Sequence, residues 1–419
     1  MHEGRPSLIG SAIKSARGQR GWTQRQLADR LNELRGYEYG GCTANDVYRW
    51  ETGRRSPRDW LSALATVLEL EIASSVPCST LAAEALEEKE TDVDRRELIS
   101  AGAGVFAGAM VPGEASAQEG RRVGQADVER LRLALADLRR LDDYSGGGVT
   151  YPLAVRTARQ TENVLSRAVY TDEVGRRMLE VLAETHQLTS WVAFDSGRLG
   201  EAKRLAQRAS TAAHQAGNRI LAASALSELS YLTASGPQPR EAVQMARASL
   251  ALAPQDALPS ARVLLADRLA WACARTGDAQ GVDRALGLSE DFHDRRDSST
   301  EPEPDWVYWI NRDESRIMAG RCWAELREHR RAVPVLEGID MPYDETHSRE
   351  VALFACWLAG SYIDAGDLDR AVASAGRAVA LVKGTDSPRT DNWVNGVLDR
   401  LTPHRHLPTV HDLLADWNA

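Results

Sequence analysis

Between residues 197 and 371 one short pattern recurs. Gly197-Arg-Leu-Gly-Glu-Ala202, Pro239-Arg-Glu-Ala242, Gly277-Asp-Ala-Gln-Gly-Val282, Glu328-His-Arg-Arg-Ala332 and Gly366-Asp-Leu-Asp-Arg-Ala371 each follow one helical stretch and begin another, and their last residues are 40, 40, 50 and 39 positions apart. A unit of that length is a helix pair, and a single pair cannot bury its own apolar face, so the copies must stack. From Asp127 onward Leu, Ala, Arg and Glu fall at helical spacing with almost no strand alternation. The expected fold class is therefore all-α, with a solenoid over residues 126–419. About six pairs are expected, one of them a degenerate pair from Leu131–Leu141 and Leu153–Val169, with Asn392 to Trp417 as the C-terminal cap.

The clearest copy, Leu358-Ala-Gly-Ser-Tyr362-Ile-Asp-Ala-Gly366-Asp-Leu-Asp-Arg-Ala371 with Ala378 beyond it, resembles a tetratricopeptide repeat. Its small residues let two helices approach and its aromatic fills the gap beside them. The period is longer than that family's usual one of about 34, so helices or turns must be extended. Laying the repeats over one another puts Gln187, Trp191 and Asp195 on the first helix of one unit, with Asp267, Trp271 and Arg275 at the matching positions of another and Arg321 in a third. Trp306, Tyr308, Trp309 and Asn311 fall in the ten-residue extension of one unit. Aromatic walls with a few amides and charges suit an extended peptide or a small molecule held in a groove.

Ahead of the solenoid, Thr43-Ala-Asn-Asp-Val-Tyr-Arg-Trp-Glu51 reads as a short capped helix, with Thr43 as N-cap and Gly53 and Pro57 ending it. On a 3.6-residue period Val47 and Trp50 share the inward face, while Ala44, Asn45 and Arg49 share another. Asn holds adenine, Arg grips guanine and an Ala methyl meets a thymine methyl, at about 1–3 kcal/mol of discrimination per good bidentate pair. Leu8 to Arg20 and Gln24 to Leu31, capped by Thr23, supply matching apolar stripes for one small core over residues 1–75.

The string Arg17, Arg20-Gly21-Trp22-Thr23-Gln24, Leu27-Ala28, Thr43, Val47, Arg49-Trp50-Glu51, Gly53, Pro57 resembles the helix-turn-helix domain of the XRE (phage-repressor-like) family over about one sixth of the chain. The resemblance implies Gln24 on a phosphate, Ala44, Asn45 and Arg49 in the major groove, and Arg17 paired with Glu51 inside the head. Arg54 and Arg55 add phosphate contacts by charge and position. The stretch from Asn32 to Cys42 is longer than the family's tight turn, and the second helix is expected to run past Leu34.

Residues 76–125 turn to Ala, Glu, Gly and Ser and form the expected linker. Inside it Asp94-Arg95-Arg96 precedes a small apolar run, which resembles an export signal. Its position behind a DNA-binding head and its shortness instead favour a small-residue helix packing on another helix. Residues 1–70 hold 11 Lys+Arg against 8 Asp+Glu, so the head is +3 and the remainder of a −9 chain is −12. A basic head on an acidic body is the pattern expected where only the head meets phosphate.

Five scattered cysteines without CxxC spacing fit a reduced compartment, and no metal or cofactor motif is present. A helix-turn-helix head on a tetratricopeptide body resembles the bacterial peptide-sensing regulators of the RRNPP group and actinobacterial regulators of that architecture. The implied protein is a cytoplasmic, homodimeric transcription regulator. It binds an inverted-repeat operator in double-stranded DNA, senses a peptide or small ligand, is no enzyme and contacts no membrane. The alternative is a scaffold whose solenoid grips another protein such as a sigma factor or a signalling enzyme.

Overall fold

The computed structural model describes residues 13–14, 16–18, 20–35, 42–51, 64, 67–68, 120–145, 147–236, 239–299, 301–339, 348–382 and 387–418. The chain divides into two compact units, residues 1–118 with 129–138, and residues 119–128 with 139–419. Among the described residues the structure is helical, with one isolated parallel bridge between Arg122 and Val169.

In the first unit, helices α1 (Gln24–Arg35) and α2 (Ala44–Glu51) pack together. Each begins with a reciprocal capping box. Thr23 Oγ1 accepts from the Gln26 N–H while Gln26 Oε1 accepts from the Thr23 N–H, and Thr43 and Asp46 repeat the arrangement. The core gathers Ile13, Ala16, Leu27, Ala28, Leu31, Cys42, Val47, Trp50, Leu64 and Leu68. As the length of the excursion suggested, α1 continues to Arg35. Its Asn32 then sets where the chain returns, because the side-chain amide accepts from the Cys42 N–H at 2.7 Å and donates to the Cys42 carbonyl at 2.8 Å. The linker segment around Arg95 and Arg96, with the small-residue helix expected there, lies outside the described residues.

Helix α3 (Gln125–Ser145) is followed by α4 (Gly147–Arg167), which packs on α5 (Asp172–Asp195). From there the described residues of the second unit form six helix pairs. These are α5 (Asp172–Asp195) with α6 (Leu199–Gln215), α7 (Arg219–Ala234) with α8 (Pro239–Leu252), and α9 (Pro259–Arg275) with α10 (Ala279–Asp297). They continue as α11 (Arg312–Glu325) with α12 (His329–Glu337), α13 (Ser348–Ala365) with α14 (Leu368–Val382), and α15 (Pro388–Leu401) with α16 (Pro408–Asn418).

The anchors Ala202, Ala242, Val282, Ala332 and Ala371 sit near the start of the second helix in five successive pairs, each fully buried. Twelve residues before each anchor stands a small residue on the first helix: Ser190, Ser230, Ala270, Gly320 and Ala359. The two serines donate to the anchor carbonyls, Ser190 Oγ to Ala202 O at 2.9 Å and Ser230 Oγ to Ala242 O at 2.8 Å. At Gly320 a Cβ would stand 2.5 Å from Leu336 Cδ2, so only glycine allows that approach. Smallness at one position of each of these five pairs lets the two helices touch, which is what the repeating pattern encodes.

Four of the pairs turn through a left-handed residue, Gly197, Gly277 and Gly366 at φ 77°, 77° and 79° and Arg327 at φ 58°. In each, the next N–H bonds back to the carbonyl five residues earlier, as in Asp367 N to Tyr362 O at 2.9 Å and Glu328 N to Trp323 O at 2.9 Å. Among the described residues no helix is long and apolar enough to cross a membrane.

Candidate DNA-reading helix and ligand cavity

On α2 the burial divides the helix as its period requires. Val47, Trp50 and Glu51 are buried, Asn45, Tyr48 and Arg49 are exposed, and Ala44 is half-buried. Asn45 and Arg49 stand one turn apart on the outer face. Tyr48, three residues after Asn45, adds an exposed aromatic to that face. The inner end of the helix is fixed by Glu51, which is 3% exposed. Arg17 donates to both of its oxygens, Nε at 2.5 Å and Nη2 at 3.1 Å, and Gln24 Nε2 donates to Oε2 at 2.7 Å. Gln24, the candidate phosphate contact, is thereby held at the head of α1 against the end of α2. Arg54 and Arg55 lie outside the described residues.

The second unit holds a cavity of about 360 Å³. Its wall draws on the first helices of several pairs, on the end of α3, and on the 305–311 extension. That extension is clipped in place. Asp305 takes Arg139 at 2.7 Å and Arg140 at 2.6 Å, Tyr308 Oη donates to Asp143, and the Arg140 guanidinium lies 3.6 Å from the Tyr308 ring centroid. Aromatic surface comes from Trp191, Tyr231, Trp306, Tyr308, Trp309 and Trp357.

Charge of both signs faces this space. Arg349, 7% exposed, ties Glu350 at 2.8 Å, Asp195 at 3.2 Å and Asp142 at 3.6 Å. Burial pushes Asp142 up to about 7 although Arg349 pulls it down, and pushes Glu228 to about 7 and Glu314 to about 8. Tyr231 moves the other way. Burial raises its phenol, but the guanidiniums of Arg321, Arg389 and Arg268 outweigh that and bring it down to about 7. Arg321 Nη2 and Arg389 Nη2 both donate to its hydroxyl, at 2.7 and 3.2 Å.

Of the eight residues expected in a groove, Gln187, Trp191, Asn311 and Arg321 line the cavity. The other four are outside its lining. Trp271 is 2% exposed because the Arg321 guanidinium lies 3.5 Å from its ring centroid and covers it. Asp267 is buried and accepts from Ser315 Oγ at 2.7 Å, and Asp195 lies beneath Arg349 with Ser387 Oγ donating to it at 3.1 Å. Arg275 turns away, its Nε donating to Ala234 O at 2.9 Å and its Nη1 pairing with Glu325. A first helix threading a solenoid buries part of the face that its repeat position would present, so equivalence in sequence does not assure equal exposure.

Tyr231 was not among the expected residues, yet it occupies the repeat position of Trp191 and Trp271, forty residues from each. The three rings follow one another along the unit, tilted by 45° and 33°, with centroids 5.4 and 6.2 Å apart. Among the described residues no group of three His, Cys, Asp or Glu side chains is placed to hold a metal ion.

Residues 8–73 match the model of a helix-turn-helix domain. Among solved structures, Bacillus thuringiensis PlcR in complex with the peptide PapR7 and DNA is similar at 12% identity, covering 70% of this chain and 96% of that one with a TM-score of 0.25. No curated protein sequence matches. The match makes residues 8–73 a helix-turn-helix domain, a DNA-binding fold, and the described residues behind it are all-α and arranged as helix pairs.

Proposed function

We propose that this chain is a sequence-specific transcription regulator of the XRE type. Its body binds a peptide or small molecule in the cavity and mediates homodimerisation on an inverted-repeat operator in the cytoplasm. The observation that carries this reading is the exposure of Asn45 and Arg49 one turn apart on a helix whose opposite side, Val47 and Trp50, is the core of the head. Two heads related by two-fold symmetry would read half-sites about 34–36 Å apart. The cavity is near the lower end of the usual range of roughly 300–1,000 Å³, which suits a small molecule or the end of a peptide better than a long extended one. Coupling between cavity and operator would be on the order of 1–3 kcal/mol.

Arg49→Ala is expected to relax preference at one base pair of each half-site, whereas Gln24→Ala weakens binding to all sequences alike. Competition binding of full-length variants against duplexes with single base changes measures both. Equal losses across every sequence for the two variants would remove the roles assigned to them.

A further inference from the structure

The arginines around the cavity are not equally served by the protein. Arg349 has three carboxylates, and Arg139 has Glu184 and Asp305. Arg268 and Arg321, 7% and 5% exposed and both facing the cavity, make no ion pair with a carboxylate of any described residue. Arg321 donates to the Tyr231 hydroxyl, and its Nε has no partner among the described residues. Arg268 lies 4.1 Å from the Tyr231 ring centroid and 5.1 Å from that of Trp191. Aromatic faces offset only part of the cost of dehydrating a guanidinium.

The acids of the same wall have another way out. Glu228 and Glu314, raised by burial, become neutral by taking a proton near neutrality. Arginine cannot shed its charge in that way. Positive charge is only partly offset there, by the nearby Glu228 and by the phenol of Tyr231, which the arginines draw down.

We propose that the cavity takes an oxyanion, the carboxylate or phosphate group of its ligand, between the guanidiniums of Arg268 and Arg321 with the Tyr231 hydroxyl at its edge. The ligand's apolar part lies against Trp191 and Trp357. This rests on the reading of the cavity as a ligand site and names the chemistry it selects. Guanidinium forks match planar carboxylate and tetrahedral phosphate equally well, so the probes must separate the two.

The test is thermal denaturation of the full chain with N-acetylphenylalanine, its C-terminal amide and phenyl phosphate, each at matched ionic strength. An acid or phosphate probe at about ten times its Kd is expected to raise Tm by about 2 °C, and the neutral amide to leave it unchanged. A shift with the acid alone assigns a carboxylate, and one with phenyl phosphate alone assigns a phosphate. Arg268→Met and Arg321→Met are expected to abolish the response, with a cooperative unfolding transition showing that each variant is folded. As a second readout in the unaltered chain, the bound anion is expected to move the tyrosinate absorbance of Tyr231 to higher pH, a signal that Tyr231→Phe removes.

Equal shifts from acid and amide would overturn the oxyanion assignment while leaving a ligand cavity. No shift from any probe, or a response that persists in both methionine variants, would also overturn it. DNA affinity read on the same samples judges the regulatory reading separately. A Tm shift with unchanged DNA affinity keeps the anion site and removes its coupling to the head.

Discussion

Arg349→Met is expected to lower the stability of the helical body by about 3–5 kcal/mol, the usual cost of removing one partner from a buried charge network. That corresponds to a fall in Tm on the order of 10 °C. Arg349 is 7% exposed and its partners Asp195 and Asp142 are 0% and 6% exposed, so water cannot replace it. The deficit should depend on pH with a definite sign. An acid whose folded pKa is raised contributes stability below its unfolded pKa and loses it as pH rises through the folded value. Asp142 is already held at about 7 with Arg349 present, and without the guanidinium it moves higher. The variant should therefore be closest to the parent near pH 5 and furthest from it near pH 8. Adding Asp195→Asn should recover part of the loss. Thermal unfolding at the two pH values checks this, and a change that is small and the same at both would show that the network does not hold the body together.

Glu51→Ala is the second substitution with a large expected effect, and it acts on the head alone. Both carboxylate oxygens are in use, by Arg17 and Gln24, at 3% exposure. Removing the carboxylate leaves the guanidinium, among the described residues, with the Trp22 carbonyl alone. A loss of about 3–5 kcal/mol is comparable with the whole stability of about 5 kcal/mol expected of so small a unit. The variant should lose DNA binding altogether while the unfolding transition of the body stays in place. Calorimetry and a gel-shift titration of the same preparation measure the two. DNA affinity equal to the parent's would show that the Arg17–Glu51 pair is not needed to hold α2.

The parts of this structure that could be read from the sequence are those encoded locally. Each anchor from Ala202 to Ala371 is fully buried, and the turn before four of them falls where a glycine, or in one case Arg327, takes a left-handed conformation. Thr23 and Thr43 cap the helices that they precede, and Val47 and Trp50 face the core. Local period and capping chemistry act over a few residues, which is the range over which a single sequence is informative.

The cavity was legible only in part because its charges meet over long separations. Arg349 reaches Asp195 across 154 positions and Ser387 reaches it across 192. No periodicity announces such a meeting, and the sequence marked Asp195 as groove-facing when it is fully buried beneath two arginines. Tyr231 did carry a signal, its place in the forty-residue register with Trp191 and Trp271. The clamp of Asn32 on Cys42 carried none, since an asparagine near the end of a helix has many other uses.

The account stands on Asn45 and Arg49 meeting base edges, and selection of bound duplexes from a random library tests it most directly. The full chain, at about 100 mM salt so that phosphate contacts alone do not dominate, should enrich one shared half-site sequence. The double variant Asn45→Ala, Arg49→Ala, still folded, should enrich none. Recovery of the same sequence by both proteins, or of no common sequence by the parent, would contradict it.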